Sequence, residues 1–133
     1  MMIIKRKNKK RGAATVELAV CLPVLFLLVL GSLSATSMIF MRQAIVQSAY
    51  ETVKEATRPD GDADLAIQRG TAVLNFRNVV PGSIVFDPID PEAAAPGTPV
   101  TVTIRAGVDP DRFYTFGPFA NRTIEVSATM VKE

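Results

Sequence analysis

The 133-residue chain contains no histidine. That removes the side chain that most often serves as general base and as metal ligand near neutral pH. There is one cysteine, Cys21, and it lies in an apolar run, so the chain cannot form an internal disulfide and must hold itself together by packing. No phosphate-binding glycine loop, GxSxG elbow, HExxH pair or paired metal-ligand spacing occurs. Together these absences argue against an enzyme and give no reason to expect a cofactor or a metal. Three further absences have position. Residues 1–12 hold no Asp or Glu. Leu18 to Met41 is 24 residues without a charge of either sign. Residues 38–57 hold neither Gly nor Pro.

What surrounds the uncharged run sets its meaning. Lys5, Arg6, Lys7, Lys9, Lys10 and Arg11 precede it, and one carboxylate, Glu17, stands between the basic cluster and the run. About 20 apolar residues suffice to cross a bilayer, so the run is long enough to span. The positive-inside rule puts residues 1–12 in the cytoplasm and the C-terminal part outside. The expected organisation is a basic leader (1–12), a membrane helix (13–41) and a small extracytoplasmic domain (42–133). Glu17 falls at the cytoplasmic lip, where a carboxylate is costly unless it is paired or used. The net charge of +2 hides an asymmetry: beyond residue 12, 9 basic residues face 13 acidic ones, a net of −4. The basic head is thus a topology signal. The basic face that nucleic-acid binding requires is absent from the rest of the chain.

Two other readings of the N-terminus exist. Leu18-Ala19-Val20-Cys21 loosely resembles a lipidation signal, but Val20 is bulky and the apolar run follows the cysteine instead of preceding it. A cleaved secretory signal has a shorter apolar core, although Ser32-Leu33-Ser34 offers a small-x-small site.

Beyond the span, Ile45, Val46, Ala49, Tyr50, Val53 and Ala56 recur at three- and four-residue spacing, with Gln43, Gln47, Glu51, Lys54 and Glu55 opposite. One helix over 13–57 is expected, transmembrane first and amphipathic afterwards, with Pro23 kinking its first part. Pro59, Asp60 and Gly61 make a turn. Asp62 or Asp64 caps a second helix over 63–77, with Leu65, Ala66, Val73 and Leu74 on its buried side and Ile67 and Phe76 nearby. Gly70 in its middle costs about 1 kcal/mol relative to alanine or marks close packing on the first helix. Pro81-Gly82 closes this unit. The remainder reads as strands: Ile84 to Phe86, Val100 to Ala106 and Thr123 to Val131, the last two alternating strictly. The expected fold class is α+β, a long N-terminal helix and a short second helix packed on a small antiparallel sheet of three strands.

Several loop features invite functional readings. Asp87, Asp90 and Glu92, and separately Asp109 and Asp111, offer oxygen ligands suited to calcium, but both groups sit among prolines where solvated acids are routine. Asn121-Arg122-Thr123 fits the glycosylation triplet. The aromatic segment of Phe113, Tyr114, Phe116 and Phe119 suits a partner patch or the lid of a core, and so small a domain favours the lid. Gly31 and Ala35 have the small-xxx-small spacing that lets membrane helices approach closely.

The start of the chain resembles a class III signal of the type IV pilin superfamily. The residues are Lys9-Lys10-Arg11-Gly12, then Ala13-Ala14-Thr15-Val16-Glu17, then the apolar helix. Within that superfamily, Arg11 to Pro23 is similar to the opening of TadE-like pseudopilins of the tight-adherence pilus system, including the proline six residues after the glutamate. The ending, Val126 to Glu133, is loosely similar to their last strand. Leu18 departs from the tyrosine that follows the glutamate in Flp pilins, which disfavours a major pilin. The resemblance implies cleavage between Gly12 and Ala13 by a prepilin peptidase, with Glu17 fifth in the mature chain. It implies a role in assembly for Glu17 and Pro23, to which the packing spacing adds Gly31 and Ala35, and partners among other pilins, pseudopilins and the inner-membrane assembly platform. The expected role is non-enzymatic, in a bacterial inner membrane. The competing expectation is a signal-anchored envelope binding protein, which would keep residues 1–12.

Overall fold

A computed structural model describes residues 9–107 and 122–133. Its elements are α1 (Lys9–Ala56), α2 (Ala63–Phe76), β1 (Pro81–Asp87), β2 (Pro99–Gly107) and β3 (Thr123–Val131). This is the expected α+β arrangement. The basic residues before Lys9, the aromatic segment, Asp109, Asp111 and the start of the Asn121 triplet lie outside the described residues.

α1 runs unbroken for 48 residues and carries Pro23 inside it. Its second half is the centre of the folded domain. Met41, Ala44, Ile45, Ala49, Val53 and Ala56 are all at most 1% exposed. Ser48 and Thr52 lie on the same buried face. This corrects the expected stripe: Val46 and Tyr50 are about half exposed. Their places in the core are taken by small polar residues because α2 comes too close for large ones.

Gly70 shows how close. Ser48 Oγ donates to the Gly70 carbonyl at 2.7 Å, and Thr52 Oγ1 donates to the Ser48 carbonyl at 2.8 Å. A Cβ at Gly70 would collide with Thr52 Oγ1 and come within 3.2 Å of Ser48 Oγ. The glycine therefore marks helix–helix contact. The buried line of α2 is Ala66, Gly70 and Leu74, one residue per turn. Leu65 and Phe76, expected inside, are exposed, Phe76 almost fully.

Both ends of α2 are capped as its sequence permits. Asp62 Oδ1 accepts from the amides of Asp64 and Leu65. Glu92 Oε1 reaches from the proline-rich loop to accept from the amide of Ala63 at 2.8 Å. At the other end Asn78 adopts φ 58°, Asn78 N–H donates to Asn75 O, and Val79 N–H donates to Leu74 O. This is a Schellman termination with asparagine in the left-handed position, and it buries Val79. The helix unit thus ends before Pro81-Gly82, and Pro81 already pairs in β1.

The sheet has the order β1-β2-β3 with both pairs antiparallel. Val100, Val102, Ile104 and Ala106 are buried on one face, flanked by Met130, Ala128, Val126 and Ile124 of β3 in register. Phe86 and Ile84 extend that face on β1. The other face is polar and paired across strands: Thr101 with Thr129, Thr103 with Ser127, and Arg105 Nε donating to Glu125 Oε2 at 2.9 Å. The apolar face packs on α1, giving one helical layer over one sheet.

The end of the chain fastens the end of α1. Lys132 Nζ donates to the carbonyls of Ala56 and Pro91, and Glu133 N–H donates to Thr57 O. A cation at a helix C-terminus also complements the helix dipole. Glu55, expected on the solvent face, is buried and accepts salt bridges at 3.1 Å from both Arg58 and Arg69. Arg69 comes from α2, so this triad ties the two helices together.

Gly70→Ala tests the helix contact. Helix propensity alone would raise stability by about 1 kcal/mol. The overlap with Thr52 should reverse the sign and lower stability by about 1–3 kcal/mol. Thermal unfolding of the detergent-solubilised protein should show a lower Tm, and adding Thr52→Ala should recover most of the loss. A Gly70→Ala protein as stable as its parent would show that the helices do not touch there.

Candidate assembly helix

All six residues singled out in the sequence lie on α1, and all are exposed: Gly12, Ala13, Glu17, Pro23, Gly31 and Ala35. They do not converge on a pocket. They are laid out along the helix, five on the part that the folded domain leaves uncovered and Ala35 exposed just beyond the buried Ser34. From Val16 to Leu33 the large apolar side chains are exposed by between about one third and two thirds. In a water-soluble protein, so long an apolar surface would be untenable. Among the described residues one helix is long and apolar enough to cross a membrane, and none of its most apolar window is buried, which separates it from a core helix.

Helix geometry sorts these residues. Eighteen residues complete about five turns at 3.6 residues per turn. Gly31 therefore sits over Ala13, and Ala35 sits over Glu17. Ala13 and Glu17 are four apart, as are Gly31 and Ala35, so on a regular helix the four share one side. Pro23 lies off that side. Its missing N–H frees a carbonyl one turn earlier, which a membrane helix tolerates when neighbouring groups can satisfy it.

Each position is sterically open. A Cβ built on Gly12 or Gly31 would meet nothing within 4 Å. At Gly70 the glycine is already filled by a neighbour within the chain; at Gly31 the space is empty. Glu17 makes no ion pair among the described residues. Cys21 is a free thiol on the exposed surface of the same helix. Ser32, Thr36 and Ser37 donate their hydroxyls to carbonyls three or four residues back, so their polar groups are satisfied within the helix.

Asp90 and Glu92 of the proline-rich loop have local employment. Asp90 Oδ1 accepts from the amides of Glu92 and Ala93, while Glu92 serves α2. Among the described residues no group of three metal-ligating side chains forms. One feature escaped sequence reasoning. Ile39, Val46 and Tyr50, with Arg42, Gln43 and Gln47, form an exposed, largely apolar face of α1 just above the uncovered part. Hydrophobic spacing had placed Val46 and Tyr50 in the core, and only the position of Gly70 hinted that the core face was turned toward smaller residues.

No curated protein and no solved structure matches the chain. A family model does, and its match stops at Lys54, so it leaves out α2 and the whole sheet. Residues 12–54, from the glycine that ends the basic run to the last turn of α1, match the family described as TadE-like protein.

Proposed function

We propose that this protein is a TadE-like pseudopilin, a minor pilin-type subunit that helps initiate or assemble a tight-adherence pilus or a related secretion apparatus. The observation that carries the reading is the coincidence of the TadE-like match with an uncovered apolar stretch of α1, Gly12 to Leu33, that holds one carboxylate, Glu17, with no ion pair among the described residues. It acts by assembly and not by catalysis. It sits in a bacterial inner membrane by a single pass, with its N-terminus in the cytoplasm and its folded domain outside. A prepilin peptidase cuts between Gly12 and Ala13 on the cytoplasmic side and leaves the helix in place. Its partners are other pilins or pseudopilins and the inner-membrane assembly platform.

The physical logic of assembly follows from the solvent. In lipid, apolar helices gain nothing from the hydrophobic effect when they associate. Specific packing and polar pairing must supply the selectivity. Gly31 and Ala35 let a second helix approach. Glu17 offers an anion that the freed amino group of a neighbour's Ala13 can neutralise. An uncompensated charge in hydrocarbon is unfavourable by several kcal/mol, so the paired, assembled state is preferred.

Two outcomes are expected. Intact-mass analysis of membrane-extracted protein should show a chain starting at Ala13, and Gly12→Val should leave residues 1–12 attached. A wild-type chain that keeps Met1 favours the signal-anchored binding protein; one starting near Ala35 indicates a secreted product. Glu17→Ala should insert and fold normally, since the buried core begins well beyond it. Its crosslinking to pilin partners and its surface pilus yield should fall about tenfold or more, corresponding to a pair worth at least ~1.4 kcal/mol. Undiminished crosslinking and pilus yield would remove Glu17 from the assembly mechanism.

A further inference from the structure

Burial along α1 changes abruptly at one residue. From Gly12 to Leu33 every residue is exposed. Ser34 is then 1% exposed, Ser37 and Met38 are half-buried, and Met41 is 1% exposed. The folded domain thus reaches down α1 to Ser34, about two helical turns short of the end of the uncharged run at Met41. The sheet comes down with it: Arg122, Thr123, Ile124 and Glu125 lie beside Met38, Ile39 and Arg42. Charged groups and the end of an open sheet are not tolerated in hydrocarbon, where backbone polar groups find no water. The hydrocarbon must therefore stop below them.

The uncovered part has the right length for this. Gly12 to Leu33 measures about 33 Å at 1.5 Å per residue. A tilt of about 20° brings its height close to the ~30 Å of a bilayer core. The cations Lys9, Lys10 and Arg11 then fall directly at the inner headgroups. On the outer side, helical side chains lean toward the helix N-terminus, which here means toward the bilayer. Ile39 and Phe40 are each more than half exposed and Arg42 is exposed, so on this placement they sit at the level of the headgroups, where a guanidinium can pair with lipid phosphate.

We propose that the hydrocarbon layer holds Gly12 to Leu33, not Leu18 to Met41, and that the folded domain rests directly on the outer phospholipid headgroups through Ile39, Phe40 and Arg42. This rests on the membrane-anchor reading given above. It moves Glu17 from the lip of the membrane to about 7 Å inside it, which sharpens the need for a partner. It also leaves no tether between membrane and domain, so the domain moves with its helix.

The two placements put the bilayer midplane at different residues, and the native thiol reports on it. With Gly12 to Leu33 in lipid the midplane lies near Leu22 and Pro23, so Cys21 is about 2 Å from it and Leu30 about 11 Å. With Leu18 to Met41 in lipid, Leu30 is at the midplane and Cys21 about 13 Å away. The full-length protein is labelled with bimane at Cys21, or at position 30 in the Cys21→Ser, Leu30→Cys variant. Both are reconstituted in phosphatidylcholine–phosphatidylglycerol vesicles containing lipid brominated near the acyl-chain ends. The expected result is stronger quenching at position 21 than at position 30. Stronger quenching at position 30 overturns the placement and leaves the membrane anchor intact. Absence of quenching at both positions, with protein released from the vesicles by alkaline carbonate, overturns the anchor reading as well.

Discussion

One helix has to serve two solvents without interrupting its own hydrogen bonds. Everything else in the structure follows from that constraint on α1. Below Ser34 the helix offers apolar side chains on all sides, which suits lipid. Above it one side is buried under β2, β3 and α2 and the other remains exposed. A break between the two parts would expose backbone groups at the membrane surface and free the domain to swing. The absence of Gly and Pro from 38–57 keeps the helix continuous through the transition.

The folded domain is built to hold that helix. Its core is small, with alanines and valines more numerous than large residues, and it contains no disulfide. Long-range polar contacts at the helix end supplement the packing. Lys132 closes on the Ala56 carbonyl, Glu133 closes on that of Thr57, and the Glu55 triad binds α2. These contacts join residues far apart in the chain, so the last strand and the first helix become one unit. A domain fixed in this way transmits the orientation of the anchor directly to whatever it meets outside the membrane.

Much of this was legible in the sequence, and the misses share a cause. Strict alternation gave β3 its bounds and β2 its buried face, because a half-buried sheet leaves a period of two. The chain's breakers gave the α1–α2 turn. Val46, Tyr50, Leu65 and Phe76 lie outside the core because apolar character alone does not mark the buried side. Where two helices touch through Gly70, the buried side is marked by small residues, and Ser48 and Thr52 carry no hydrophobic signal. Glu55 was misplaced for a different reason: Arg69, one of the two cations that make its burial tolerable, comes from another helix. Of the assembly side, the uncovered state of Gly12, Glu17, Gly31 and Ala35 follows from an apolar run too long for the domain to cover. The lower edge of the domain at Ser34 was hidden, because serine within an uncharged run looks the same to lipid and to protein.

Amide hydrogen exchange along α1 in the vesicle-reconstituted, full-length protein tests the continuity of the helix most directly. Unbroken slow exchange from Ser34 to Ala56 is predicted, with no faster segment where the helix passes from membrane to domain. A rapidly exchanging stretch between Met38 and Arg42 would mean that anchor and domain are separate bodies joined by a hinge, and would contradict the account.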